Sequence, residues 1–265
     1  MTETTCVDLA AWVRDVIADL LAVPTVNTLQ TAAREPAWAD PLVGFAPGDD
    51  PIWTQYKDAV GPFHWLPEEI FCQSFPDLDV SAQDLTVVSW VLPQTERVKA
   101  DNRLQTRYPA ERWARSRIFG EQTNNTLRRR VAETLTASGF PATAPMLSPS
   151  FESRRGGPFV YASTWSERHA AYSVVARISI PATPRPYTDH HAYCLFYTHG
   201  TCGKCIERCP AGAISEQGHD KVRCKEHLGR TRAYVPEQYG FKGYGCGLCQ
   251  TGVPCESGIP APQDV

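Results

Sequence analysis

The sequence has no run of about 20 consecutive apolar residues, the length a bilayer-crossing helix requires, so no membrane span is expected. It also has no export signal: Met1 to Val23 intersperses its apolar residues with Asp8, Arg14, Asp15 and Asp19, where a signal peptide needs an unbroken apolar centre. No twin-arginine pair stands near the start. Together these absences make the reducing cytoplasm the expected location. A strong charge of either sign is missing too, because 26 lysines and arginines face 29 acidic residues for a formal net charge of −3. Such a chain shows no general surface for nucleic acid or anionic membrane, and the local run Arg128-Arg129-Arg130 reads as a solvated helix face. Cysteine is scarce over the first 190 residues, where only Cys6 and Cys72 occur, both read as plain buried hydrophobes. The other eight crowd between Cys194 and Cys255, and a reducing compartment requires some reason for them other than disulfides.

The rest of the chain has the apolar and aromatic content of an ordinary globular protein. Leu9, Val13, Val16, Ile17, Leu20 and Leu21 share one face at helical spacing, which predicts a helix over Val7 to Leu21, with Thr5 and Asp8 as a capping pattern. Pro36 to Pro67, rich in Pro, Gly, Trp and Asp, reads as irregular. Leu85 to Leu92 suits a buried strand, Ala142 to Leu147 and Val174 to Ile180 further strands, and Glu111 to Ser138 a helix broken near Gly120. Pro181 to Pro186 is a stiff connector, so the expected domains are 1–183 and 184–265.

The chemistry lies in the cysteine spacing. Cys202-Gly-Lys-Cys205-Ile-Glu-Arg-Cys209-Pro210 is C-x2-C-x3-C-P, and it is followed by Cys224, Cys246-Gly-Leu-Cys249 and Cys255. Thiolates are soft ligands that iron–sulfur clusters take in fours, and in this spacing the cysteine before proline serves a different cluster from the preceding pair. One set is therefore Cys202, Cys205 and Cys255 with an upstream ligand, and the other is Cys209, Cys224, Cys246 and Cys249. The usual two-cluster run has a cysteine three residues before Cys202, where this chain has His199. Cys194 is the expected eighth ligand, completing two [4Fe–4S] clusters, and His199 is the alternative. A four-cysteine zinc site built from Cys202/Cys205 and Cys246/Cys249 would leave four cysteines idle.

The stretch from Cys202 to Cys255 resembles the ferredoxin-like module of the epoxyqueuosine reductase and reductive dehalogenase superfamily. The shared features are Cys202-x2-Cys205-x3-Cys209-Pro210 with Gly212-Ala213-Ile214 behind it, the lone Cys224, and Cys246-x2-Cys249 before a final cysteine. The resemblance implies an α+β protein: an N-terminal α/β reductase-like domain followed by a bacterial-ferredoxin-like two-cluster domain. It further implies base-off cobalamin in the upstream domain, of which Leu85 to Pro93, Ala142 to Leu147 and Glu167-Arg168 are weak echoes. In epoxyqueuosine reductases a catalytic aspartate lies six residues before the glutamate of that pair, and this chain has Tyr161 there. The family's Ala-Gly-Leu-Gly loop is also missing after Tyr172.

Two readings follow. In the first, the chain is a cytoplasmic reductase passing single electrons to a cofactor or substrate in its N-terminal domain, fed by a donor protein of ferredoxin or flavodoxin type. Tyr161, His169, His190 and His191 are then proton-donor candidates, though each residue type more commonly packs or faces water. In the second, it is an electron-transfer subunit with no substrate chemistry of its own. A zinc-stabilised interaction module is the third class.

Overall fold

The structure is a computed structural model, and it describes residues 8–156, 160–165 and 171–262. In chain order the principal elements are helix α1 (Leu9–Ala22), strand β1 (Leu42–Pro47), helices α2 (Ile52–Val60) and α3 (Pro67–Ser74), strand β2 (Thr86–Val91), and helices α4 (Glu96–Arg103) and α5 (Glu111–Ala137). Strands β3 (Ala142–Thr143), β4 (Ser153–Gly156), β5 (Val160–Ser163) and β6 (Ala171–Ala176) follow. The last part holds short helices α6 (Leu195–His199) and α7 (Lys204–Glu207), the small pair β7 (Ile214–Ser215) and β8 (Gly218–His219), and helix α8 (Lys221–Tyr239). None of the described helices is long and apolar enough to cross a membrane.

The chain forms two compact units built from interleaved stretches. The first comprises Met1–Asn27, Asp40–Leu92 and Gln122–Thr183, and the second Thr28–Ala39, Pro93–Glu121 and Pro184–Val265. Thus Thr183–Pro184 is one of several crossings, and residues 28–39 and 93–121 fold with the cysteine-rich end.

A four-stranded sheet of order β1-β2-β6-β3, antiparallel at every pairing, organises the first unit. Directly opposed residues in a ladder point to the same side. Val87 and Val175 are opposed, and both join the core of Trp65, Ile70, Phe71, Val80, Leu85 and Trp165. Val88 pairs with Phe45 and Val174, and Trp90 with Tyr172, on the other face. That face is covered by α1, whose Arg14 lies over the Phe45 ring, and by α5, whose Arg128 lies over the Tyr172 ring. Burial on both faces explains why β2 is apolar almost throughout instead of alternating.

Several sequence expectations change here. Asp8 caps α1, its carboxylate accepting from the backbone N–H groups of Ala10 and Ala11, whereas Thr5 lies outside the described residues. Pro36 to Pro67 is not irregular, for it contains β1 and α2; Gly44 and Pro47 disguise an edge strand whose conformation is set by pairing with β2. Helix α5 runs unbroken through Gly120, which is glycine because the Trp38 ring sits where a Cβ would be, 2.3 Å from Cζ2. Ala142 to Leu147 gives a two-residue strand and then a 3-10 turn at Pro145. Arg128 is not on a solvated face: it is almost fully buried against Tyr172, while Arg129 and Arg130 are exposed.

In the second unit, segment 28–39 is tied down by charge. The Glu35 carboxylate accepts from Arg112 at 3.1 and 3.2 Å and pairs with Arg97 at 2.8 Å. Arg112 also holds Asp101. The Arg112 hydrogen bonds outweigh burial and hold the Glu35 carboxyl below the usual 4.5. A lowered folded value means that the stabilisation is complete above the unfolded value and is lost as pH falls through the folded one. Glu35→Gln is therefore expected to lower stability at neutral pH by about 2 kcal/mol, the scale of hydrogen bonds to charged groups. The gap to the wild type, read from urea unfolding midpoints, should close as pH drops below the usual glutamate value.

Candidate metal centre

Every cysteine of the predicted site lies in the second unit. Cys194 is the N-cap of α6, Cys205 sits within α7, and Cys209 follows it ahead of Pro210. Cys224 is in the first turns of α8, Cys246 and Cys249 flank a left-handed turn at Gly247, and Cys255 lies on an exposed loop. All are free thiols.

The fold sorts these thiols into two sets. The Cys205 thiol is pushed up by burial and then by the neighbouring Cys255, Cys194 and Cys202. Cys255 is pushed up by burial and likewise by Cys194 and Cys202. In the other set burial dominates again: Cys249 rises to about 12, with Cys246, Cys209 and Cys224 adding to it, and Cys246 and Cys224 respond to Cys209 in turn. The thiols that raise Cys205 are thus Cys255, Cys194 and Cys202, and those that raise Cys249 are Cys246, Cys209 and Cys224. Burial and mutual proximity keep these groups as neutral thiols on their own, and a soft metal centre is what would draw them into the thiolate form. The two C-x2-C pairs fall in different sets, so they do not build one zinc site between them.

Spacing separates the candidate metals further. A single zinc with Zn–S bonds of about 2.3 Å draws its four sulfurs to about 3.8 Å from one another. Among the described residues no three cysteine sulfurs lie mutually within 4.8 Å; the one trio of donors that does is Asp189, His190 and His191, neighbours in sequence at the surface. The donor chemistry, soft thiols paired at C-x2-C spacing, fits iron–sulfur ligation.

Residues that sequence reasoning missed hold the Cys246–Cys249 turn in place. Gly247 has φ 65°, and a Cβ there would stand 2.0 Å from the Trp113 indole of α5. Gly245 N–H donates to the buried Thr231 hydroxyl of α8 at 3.4 Å. Asn102, fully buried, donates to the Cys246 carbonyl and to Thr251 Oγ1, both at 3.2 Å, and accepts from Ala110 N–H. The Arg208 guanidinium donates to the carbonyls of Leu248, Arg103 and Asn102. Arg208 sits beside Cys209, so one side chain fastens two ligand-bearing segments of the same set. The Cys209 sulfur also accepts a hydrogen bond from Ala213 N–H at 3.2 Å. The available signal for this scaffold was the Gly243-Tyr-Gly-Cys-Gly run, since closely spaced glycines mark close backbone approach.

The other candidates are less engaged. His199 has its Nδ1 2.7 Å from the neighbouring Thr198 hydroxyl. His190 and His191 each hold Nδ1 3.7 Å from the Asp189 carboxylate, with His190 well exposed. Tyr161 lies in β5, opposite Arg155 of β4. Cys72 is half-buried on α3. Cys6, Glu167, Arg168 and His169 lie outside the described residues.

Comparison with known proteins places the similarity in a short stretch. An epoxyqueuosine reductase of Bacillus anthracis is 40% identical over 65 residues, 23% of this chain and 17% of that protein. Its counterparts in Bacillus cereus and Staphylococcus aureus are 40% identical over 65 residues and 37% over 70, covering 23% and 24% of this chain and 17% and 18% of theirs. The match therefore spans less than a fifth of the length of these curated relatives. No family model matches the chain, and no solved structure does.

Proposed function

We propose that the chain is an iron–sulfur electron-transfer protein whose second unit holds two [4Fe–4S] clusters, one on Cys194, Cys202, Cys205 and Cys255 and the other on Cys209, Cys224, Cys246 and Cys249. The observation that carries this reading is the cysteine spacing C-x2-C-x3-C-P followed by C-x2-C, with Cys205 near Cys194, Cys202 and Cys255, and Cys249 near Cys209, Cys224 and Cys246. Such clusters store and pass single electrons. The chain's own contribution is a scaffold of ligands, an Ala213 N–H on the Cys209 sulfur, and a turn fixed by Trp113, Asn102 and Arg208.

The fuller form of the proposal is a reductase in which these electrons reach a cofactor or substrate on the first unit. The similarity to epoxyqueuosine reductases supports it, as does the size of that unit. The first unit has an open groove of about 680 Å³ lined by Ser74, Arg129, Glu133, Thr136 and Thr143. That volume lies within the range of roughly 300–1,000 Å³ that suits small-molecule ligands. Tyr161 in place of an aspartate favours the second reading, a ferredoxin-like subunit serving a partner enzyme. The deciding experiment is metal, acid-labile sulfide and flavin analysis of protein purified without oxygen. About eight irons with matching sulfide per chain are expected. Zinc without sulfide would reject the redox reading, whereas cobalamin uptake would favour the reductase.

A further inference from the structure

Two arginines of the second unit that pack between elements are neutralised by carboxylates: Arg103 by Glu96 and Glu256, Arg112 by Glu35 and Asp101. Arg117 and Arg232 are held differently. Their guanidinium carbons lie 5.4 and 4.5 Å from the centre of one ring, that of Tyr244, and Arg117 also donates to the Tyr244 hydroxyl at 3.3 Å. An aromatic ring orients a guanidinium without cancelling its charge. Both arginines are exposed, and exposed Lys242 stands two residues before Tyr244. A chain with an overall charge of −3 thus holds two cations on one ring, with a third exposed cation two residues away in sequence.

The spot adjoins the second thiol set. Tyr244 is two residues from Cys246, at most about 7 Å along the chain. Arg232 shares α8 with Cys224, eight residues and about 12 Å along its axis. Gly245, between Tyr244 and Cys246, packs against α5 close enough that a Cβ there would lie 3.9 Å from the Arg117 Cβ. The same segments therefore present both the cations and the ligands.

We propose that Arg117, Arg232 and Lys242 around Tyr244 form the docking surface for an acidic one-electron carrier protein, which engages them through surface carboxylates. The inference rests on the two-cluster reading and names the partner of that site. Charge complementarity supplies the recognition, and the short path to Cys246 and Cys224 supplies the reason for its position. With a flavodoxin as carrier, its hydroquinone anion would give up one electron to become the neutral semiquinone, and a cluster held by Cys209, Cys224, Cys246 and Cys249 would take up that electron with no proton exchanged.

The test titrates the anaerobically reconstituted holoprotein with an acidic flavodoxin at low ionic strength. Calorimetry reads Kd, and stopped-flow bleaching of the cluster absorbance reads the rate. The wild type should bind, with affinity falling as salt is added. Arg117→Glu with Arg232→Glu should weaken binding and slow bleaching at least about tenfold, while the double lysine variant, which keeps both charges, should stay within about threefold. Dithionite should reduce every variant to the same final extent. No binding by the wild type, or unchanged binding by the glutamate variant at full iron and sulfide content, overturns the proposal. So does a glutamate variant that loses affinity for a bulk tRNA probe while flavodoxin binding is unchanged, for the patch would then be a nucleic-acid surface. Iron and sulfide missing from the wild type would instead reject the cluster reading itself.

Discussion

Replacing Gly247 with alanine should cut the iron bound per chain from about eight atoms to about four, with sulfide falling in parallel. Two effects combine at this residue. Its φ of 65° disfavours any side chain, and the new Cβ would stand 2.0 Å from Trp113 ring atoms, far inside contact distance. Trp113 is buried and cannot swing aside without opening the interior of the unit. The turn must move instead, carrying Cys246 and Cys249 away from Cys209 and Cys224. Gly252→Ala is the control: it has a similar φ of 68° but meets only the Arg208 side chain, at 3.4 Å. Near-normal iron in Gly252→Ala beside half-loaded Gly247→Ala would assign the loss to the Trp113 contact. Full loading of Gly247→Ala would show that the turn is not where the second cluster is held.

The first set has its own decisive pair of variants. Cys194→Ala should also leave about four irons, whereas His199→Ala should remain near eight. The physical ground is that the Cys194 thiol interacts with both Cys205 and Cys255, while His199 is engaged by the adjacent Thr198 hydroxyl. Comparing the electron paramagnetic resonance of the two reduced variants with the wild type would show which signal disappears. Loss of a signal in His199→Ala with none in Cys194→Ala would exchange the two ligands.

The candidate site was largely legible because metal-binding spacing is local. Cys202-x2-Cys205-x3-Cys209-Pro210 carries its geometry within eight residues and one proline, which is why both proposed sets can be read from the sequence alone. What supports the second set was not legible, because Asn102, Trp113 and Arg208 are remote in sequence from Cys246 and are common residues elsewhere. The fold divides the same way. The apolar run of β2 and the periodic face of α1 announce themselves, since burial dictates their composition. Strand β1 hides behind glycine and proline, its conformation imposed by a partner some 40 residues on. Gly120 looked like a helix break, but it is a seat for Trp38, and no local rule distinguishes the two. Arg128 was misread for a similar reason: three arginines in a row look alike, and only the Tyr172 ring singles out the first.

Cys255 is exposed, whereas every other cysteine of the two sets is at least half-buried. Under the proposed assignment this makes the pair unequal towards dioxygen. An oxidant arriving from solvent meets the exposed loop that carries Cys255 first, and accessible sulfur is the first to climb the oxidation ladder. The first cluster would then be the sacrificial one, and its decay would leave the Cys246–Cys249 turn, shielded under Trp113, still loaded. Protein handled in air would pass through a half-loaded form with a single surviving centre before it became colourless.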